Sequence, residues 1–437
     1  MVVARHDPRA PRAWVWRAFC TLSALTLLAS AGSARAVATH ARSAAERPVV
    51  IAIVGESGLN VLHADFAARH GQNLTRPYGM PPAVTVRLPE HGSFDQRVRQ
   101  TESGPLGRMQ PGVLYSVQDT RVVGIISPRR DDPALDAPVD LLADTDHGTG
   151  VASAAIGTRY GTAPEAELVM VLGATREAWR WAAAQPWIDV VSTSYFGVGA
   201  ASDGTDMACV EGPALRSLAE AGIPVFSASG NGDGLGELAS PAGSPQVVHV
   251  GGADSAGRTW LPGQDSGDQG TTAITPNRPY DAAELFSFPA ASAFSLTGSA
   301  PFGGTSGAAP RMAGDAAVLI AAARRSLTTP ASGRRHPGQL AWPGPSAEHP
   351  RRGPLSDGNL SGTELRDLLL HTAQPALAAS PARYLIEGYG AVTRNSVQHA
   401  LGVLAGRAPE PDRAGDDGTA RIVAAARAAA FSSARCR

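Results

Sequence analysis

Short apolar runs alternate along this chain with longer stretches of mixed character. The run at 49–54, VVIAIV, is unbroken and β-branched, as a strand buried on both faces requires. Residues 113–117 and 121–126 read as short strands around a turn, and 168–173 and 188–192 as two more. Between the last pair, 176–185 has helical spacing. Residues 149–156 begin a helix of small residues. A helix over 212–221 closes at Gly222, a residue suited to the position after a helix end. Strands follow at 223–228 and 247–251, then an Ala-rich helix at 308–324. Helices at 362–372, 396–404 and 422–431 complete the series. The alternation predicts an α/β fold with a mainly parallel central sheet and helices on both faces.

The intervening stretches are polar. Residues 60–110 read as irregular, and 257–300 and 326–358 as surface loops rich in Gly, Ser and Pro. The segment 326–358 carries Arg334, Arg335, Arg351 and Arg352 among its prolines, and is expected to be an exposed, mobile loop.

The first residues form a targeting pattern. Arg5, Arg9, Arg12 and Arg17 precede an apolar stretch from 18 to 31, and Ser33-Ala34-Arg35-Ala36 has the small residues a signal peptidase reads. The expected organisation is a signal peptide at 1–36, a short spacer at 37–47, a catalytic domain at 48–405 and a tail at 406–437. The product is then a secreted, extracellular monomer. The apolar stretch is short for a membrane span and rich in Ser and Thr, so no stable span is expected after cleavage.

Composition narrows the partners. Apolar residues make up 43% of 437, ample for a buried core, and aromatics only 5%, so that core must be built from Ala, Val and Leu. All 38 basic residues are arginine and the formal net charge is −1, which argues against a nucleic-acid surface. Beyond Cys20 in the signal stretch, Cys209 and Cys436 leave a disulfide and two free thiols as equal alternatives.

One stretch carries chemistry. In Gly304-Thr305-Ser306-Gly307-Ala308-Ala309-Pro310, a serine stands between glycine turns and the start of a helix. Unpaired N–H groups and the positive end of the helix dipole suit an exposed nucleophile and the charge that forms beside it. The stretch resembles the nucleophile motif of the subtilisin-like serine proteases. Three more segments resemble that family in its chain order. They are the histidine motif at 146–152 (DHGTGVA), the oxyanion strand and turn at 226–232 (FSASGNG) and the acid-bearing strand at 49–58 (VVIAIVGESG). The likeness runs from about residue 49 to about 404 and implies a subtilisin-like fold.

It also implies roles. Ser306 would be the nucleophile, His147 its general base and Asn231 the side-chain oxyanion donor. Ser194, Tyr195, Phe196 and Gly197, with Gly230, would bind a polypeptide substrate, its backbone added as a strand. The family carries an aspartate where this chain has Glu56, which is one methylene longer. Gly55 before it gives the backbone room to adjust. Asp144 and Asp146 are second choices for the acid. Phe196 stands where the family has a small glycine, and Gly150 where it has a second histidine. No metal or other cofactor is expected; calcium would follow by family analogy only. Two rivals stand beside a serine endopeptidase: a relative that binds peptide without cleaving it, and a sedolisin-like acid peptidase.

Overall fold

The computed structural model describes residues 48–68, 74, 76–77, 79–159, 161–195, 207–230, 241, 246–253, 272–276, 302–326, 340–341, 359–360, 362–373, 391–405 and 407. The strands among them are β1 (Val50–Glu56), β2 (Val84–Val86), β3 (Tyr115–Val117), β4 (Val122–Ile126), β5 (Glu167–Leu172), β6 (Val190–Thr193), β7 (Val225–Ala228), β8 (Val247–Ala253) and β9 (Thr272–Pro276). The helices are α1 (Phe94–Glu102), α2 (Asp146–Ile156), α3 (Arg176–Ala183), α4 (Met207–Glu220), α5 (Thr305–Ser326), α6 (Gly362–His371) and α7 (Arg394–Leu404). A two-stranded pair, β10 (Leu340–Ala341) with β11 (Asn359–Leu360), lies apart from the main sheet.

The main sheet runs β2-β3-β4-β5-β1-β6-β7-β8-β9. Every neighbour pair is parallel except β3 with β4. The fold is therefore the subtilisin-like α/β architecture expected. Chain order reverses at β1, which has β5 on one side and β6 on the other. In open sheets of this kind, ligands bind outside the carboxyl ends of the strands at such a reversal. The sheet alone thus points to the residues just beyond β1 and its neighbours β5 and β6.

Each face of the sheet buries its own core. Ile51, Ile53, Leu168 and Met170 pack with Val151, Ala152 and Ala155 of α2 and Ala309, Met312 and Ala313 of α5. Val50, Ala52, Val54, Val169 and Val171 pack on the opposite side with Ala178 and Trp179 of α3 and Leu215 and Leu218 of α4. The small residues of α2 and α5 let these helices approach the sheet and each other closely.

Two buried cations pin the outer ends. Arg324 near the end of α5 pairs with Asp189 at 2.5 Å, and the other carboxylate oxygen accepts from the Val50 amide at 2.9 Å. Arg121, fully buried ahead of β4, donates to the carbonyls of Asp65, Ile156 and Pro164 and to the Thr158 hydroxyl.

Four expectations need correction. Residues 60–110 are not wholly irregular, since β2 and α1 lie among them. The surface loop 257–300 contains β9, and 326–358 contains β10. The helices carrying His147 and Ser306 begin earlier than their small-residue runs suggest, so both residues sit inside a first turn rather than ahead of it. The signal stretch, the spacer and the helix expected at 422–431 lie outside the described residues.

Candidate active site

Glu56 ends β1 and is 3% exposed. Alternation along the strand turns Ile51 and Ile53 toward α2 and α5, and Val50, Ala52 and Val54 toward α3 and α4. Continued unbroken, it would turn residue 56 away from α2. The pairing with β5 breaks it: Val54 opposes Val171 and Glu56 opposes Leu172, so Gly55 is an extra residue. Such a bulge re-aims the side chain that follows. Gly55 has φ 106°, and a Cβ there would stand 2.8 Å from the Cβ of Tyr195. The position needs glycine for its backbone and for the chain passing over it.

His147 is the second residue of α2. Its Nδ1 lies 2.7 Å from Glu56 Oε2. A carboxylate only accepts, so Nδ1 carries the proton and Nε2 is left as the basic nitrogen. The two segments are locked together beside this bond. The Asn60 amide donates to Thr149 Oγ1 at 2.9 Å, and a Cβ at Gly148 would collide with the Gly58 carbonyl. Burial works against the charged imidazole, but the hydrogen bond and charge of Glu56, helped by the charge of Asp144, raise the His147 pKa above its ordinary 6.5. The bond runs to Glu56, not to Asp144 or Asp146, the second choices.

Ser306 is the second residue of α5 and 7% exposed. Gly304, at φ 68°, makes the turn into the helix. The Thr305 hydroxyl donates to the Gly230 carbonyl at 3.0 Å and accepts from the Gly230 amide at 3.2 Å, fixing the helix start to the turn after β7. Pro310 stands four residues after Ser306 inside the helix. It has no N–H, so the Ser306 carbonyl loses its helical donor. The hydroxyl of Ser194, just beyond β6, supplies one at 2.9 Å.

Glu56, His147, Ser306, Ser194, Tyr195 and Gly230 thus all lie at or just past the carboxyl ends of β1, β6 and β7, or at the starts of the two helices packed there. Asn231, Phe196 and Gly197 fall outside the described residues. Sequence reading missed two features. One is the Ser194–Ser306 bond, which a proline four residues after the serine signals. The other is Phe302, whose ring packs edge-on against the His147 imidazole with centroids 5.5 Å apart at 72°. Among the described residues, no cluster of three or more His, Cys, Asp or Glu forms a metal site, and no helix is long and apolar enough to cross a membrane.

A doubly wound parallel sheet, a hydrogen-bonded His–carboxylate pair at its reversal point and a serine in the first turn of the adjoining helix are an arrangement that suits a serine-type hydrolase. A model of the subtilase family matches residues 46–402, and the chain belongs to that family. No curated protein sequence matches it. Solved structures similar to it include the prenylagaramide maturation protease PagA, at 17% identity and TM-score 0.45 over 83% of this chain and 98% of that one. The patellamide maturation protease PatA is 18% identical, at TM-score 0.45 over 82% and 97%. A PatG macrocyclase bound to peptide is 14% identical, at TM-score 0.44 over 81% and 91%.

Proposed function

We propose that this chain is a secreted serine endopeptidase working through Ser306, His147 and Glu56. His147 Nε2 takes the Ser306 proton as Oγ attacks the scissile carbonyl. Glu56 holds the imidazole in the required tautomer and stabilises the imidazolium. The oxyanion is held by the Ser306 amide and the Asn231 side chain. His147 then protonates the leaving amine, and water releases the acyl group by the same steps. The observation that carries this reading is the 2.7 Å bond from Nδ1 to the buried Glu56 carboxylate, which leaves the other ring nitrogen basic. The substrate is a polypeptide, laid along the segment at Ser194 and Tyr195.

The test is labelling with a serine-directed phosphonate. The full chain should take one label, on Ser306, and lose peptidase activity with it. Ser306→Ala and His147→Ala should each take none while remaining folded, Ser306→Ala at the wild-type denaturant midpoint and His147→Ala at a lower one because Glu56 loses its partner. Turnover within about tenfold of the wild type in either variant overturns the assignment, since loss of a triad member removes several orders of magnitude and leaves only a small residue. An acid pH optimum would point instead to a carboxyl mechanism.

A further inference from the structure

Phe302 lies four residues before Ser306, on the chain entering α5, and its ring has two neighbours that matter. One is the imidazole of His147, met edge-on with centroids 5.5 Å apart. The other is Gly150, one turn further along α2 on the same helix face. A Cβ at 150 would stand 2.5 Å from Phe302 Cγ and closer still to Cδ2. Gly150 is helical and has no positive φ, so its backbone does not call for glycine. A glycine inside a helix is destabilising relative to alanine. The ring's need for that space accounts for it.

The imidazole needs a second support. Its side chain is 48% exposed, and its partner Glu56 is held from a longer stem than an aspartate. One carboxylate oxygen of Glu56 has no hydrogen-bond partner among the described residues. The bond at Nδ1 fixes the tautomer and aims that edge of the ring, but it leaves the exposed side of the imidazole able to rock about the side-chain torsions. A ring packed edge-on removes that freedom. The charges that act on His147 are those of Glu56 and Asp144.

We propose that Phe302 is a positioning residue for His147, setting the plane of its imidazole, and that Gly150 is present to admit it. This rests on His147 acting as the base for Ser306. Three variants of the full chain test it: Phe302→Ala, Phe302→Tyr and Gly150→Ala, with the double variant of the two alanine changes. The first readout is phosphonate labelling of Ser306. The maximal rate should fall tenfold or more in Phe302→Ala and in Gly150→Ala, with probe affinity little changed, and should recover in Phe302→Tyr. The double variant should be no worse than either single one, since both remove the same contact. The second readout needs no activity. In a Ser306→Ala background, the low-field Nδ1–H proton resonance of His147 should broaden through faster solvent exchange when Phe302 is removed. If the wild-type chain takes no label, the peptidase reading fails, and the resonance still decides the role of Phe302. An unchanged resonance, additive losses in the double variant, or full-rate labelling of Phe302→Ala overturns the proposal.

Discussion

Gly55 stands beside Glu56 as an extra residue in β1, and by that turns the glutamate carboxylate onto the sheet face where His147 lies. The inserted residue and the longer side chain belong together. Replacing Glu56 by Gln should cut activity about 10⁴-fold, as loss of the charged orienting group does in other triads. Replacing it by Asp should also cost activity, because the bulge places the backbone for a longer stem. Deleting Gly55 together with Glu56→Asp restores unbroken alternation and should recover part of the loss. The measurement is kcat/KM for the three variants; an Asp variant as active as the wild type would mean the bulge does not set the reach.

The pH dependence has a defined sign. His147 must be neutral to act as a base, and its pKa lies above 6.5 in the folded chain. The rise of kcat/KM with pH should therefore be centred above 6.5. Burial alone lowers the pKa, so removing the charge of Glu56 should move that midpoint down, and Asp144→Asn should move it down by less. Stability is linked to the same shift. The Glu56–His147 pairing contributes fully below pH 6.5 and its contribution is lost as pH rises through the folded pKa. Urea unfolding of Glu56→Gln should show a larger deficit at acid than at alkaline pH.

Ser194 and Pro310 make a sharper pair. Ser194→Ala leaves the Ser306 carbonyl without the donor that Pro310 cannot provide. An unpaired buried acceptor costs about 1–3 kcal/mol, which should appear both in stability and in a slower maximal rate of phosphonylation. Pro310→Ala returns a backbone N–H at the right place. In the Ser194→Ala background it should rescue the rate, while alone it should do little. Absence of rescue would mean that Ser194 acts on substrate alone.

Much of this was legible before the fold was known, for reasons that can be named. Strand runs such as 49–54 are buried on both faces and so read as continuous apolar sequence, and Ser306 and His147 sit in fixed local patterns. α1 was not legible because few of its side chains pack inward, chiefly Phe94 and Val98, and its start is marked instead by the reciprocal Ser93–Gln96 cap. The bulge at Gly55 was hidden because sequence shows a glycine but not the register of its neighbour. Phe302 was hidden for a similar reason. Its partners, His147 and Gly150, are distant in the chain, and only packing of α2 against α5 brings the three together.

Arg121 carries the last expectation. Its guanidinium is fully buried and donates to carbonyls from three separate stretches: Asp65 after β1, Ile156 at the end of α2 and Pro164 ahead of β5. The Ile156 carbonyl is in the last turn of α2, where acceptors lack helical partners and a cation is favoured. Arg121→Met fills much of the volume but donates nothing, so several buried acceptors lose their partner together. The cost should exceed about 3 kcal/mol. Arg121→Lys should recover little, because one ammonium cannot reproduce the planar fork that meets acceptors on several sides. Chemical denaturation measures the total. Limited proteolysis locates it, since cleavage within 157–164 should appear in the variants before any cut in β1 or β5. The His147 end of α2 is held separately, through Thr149 and Glu56. Phosphonate labelling at a temperature where Arg121→Met is still folded should therefore proceed near the wild-type rate. Loss of labelling in that folded variant would show that the far end of α2 is coupled to the site.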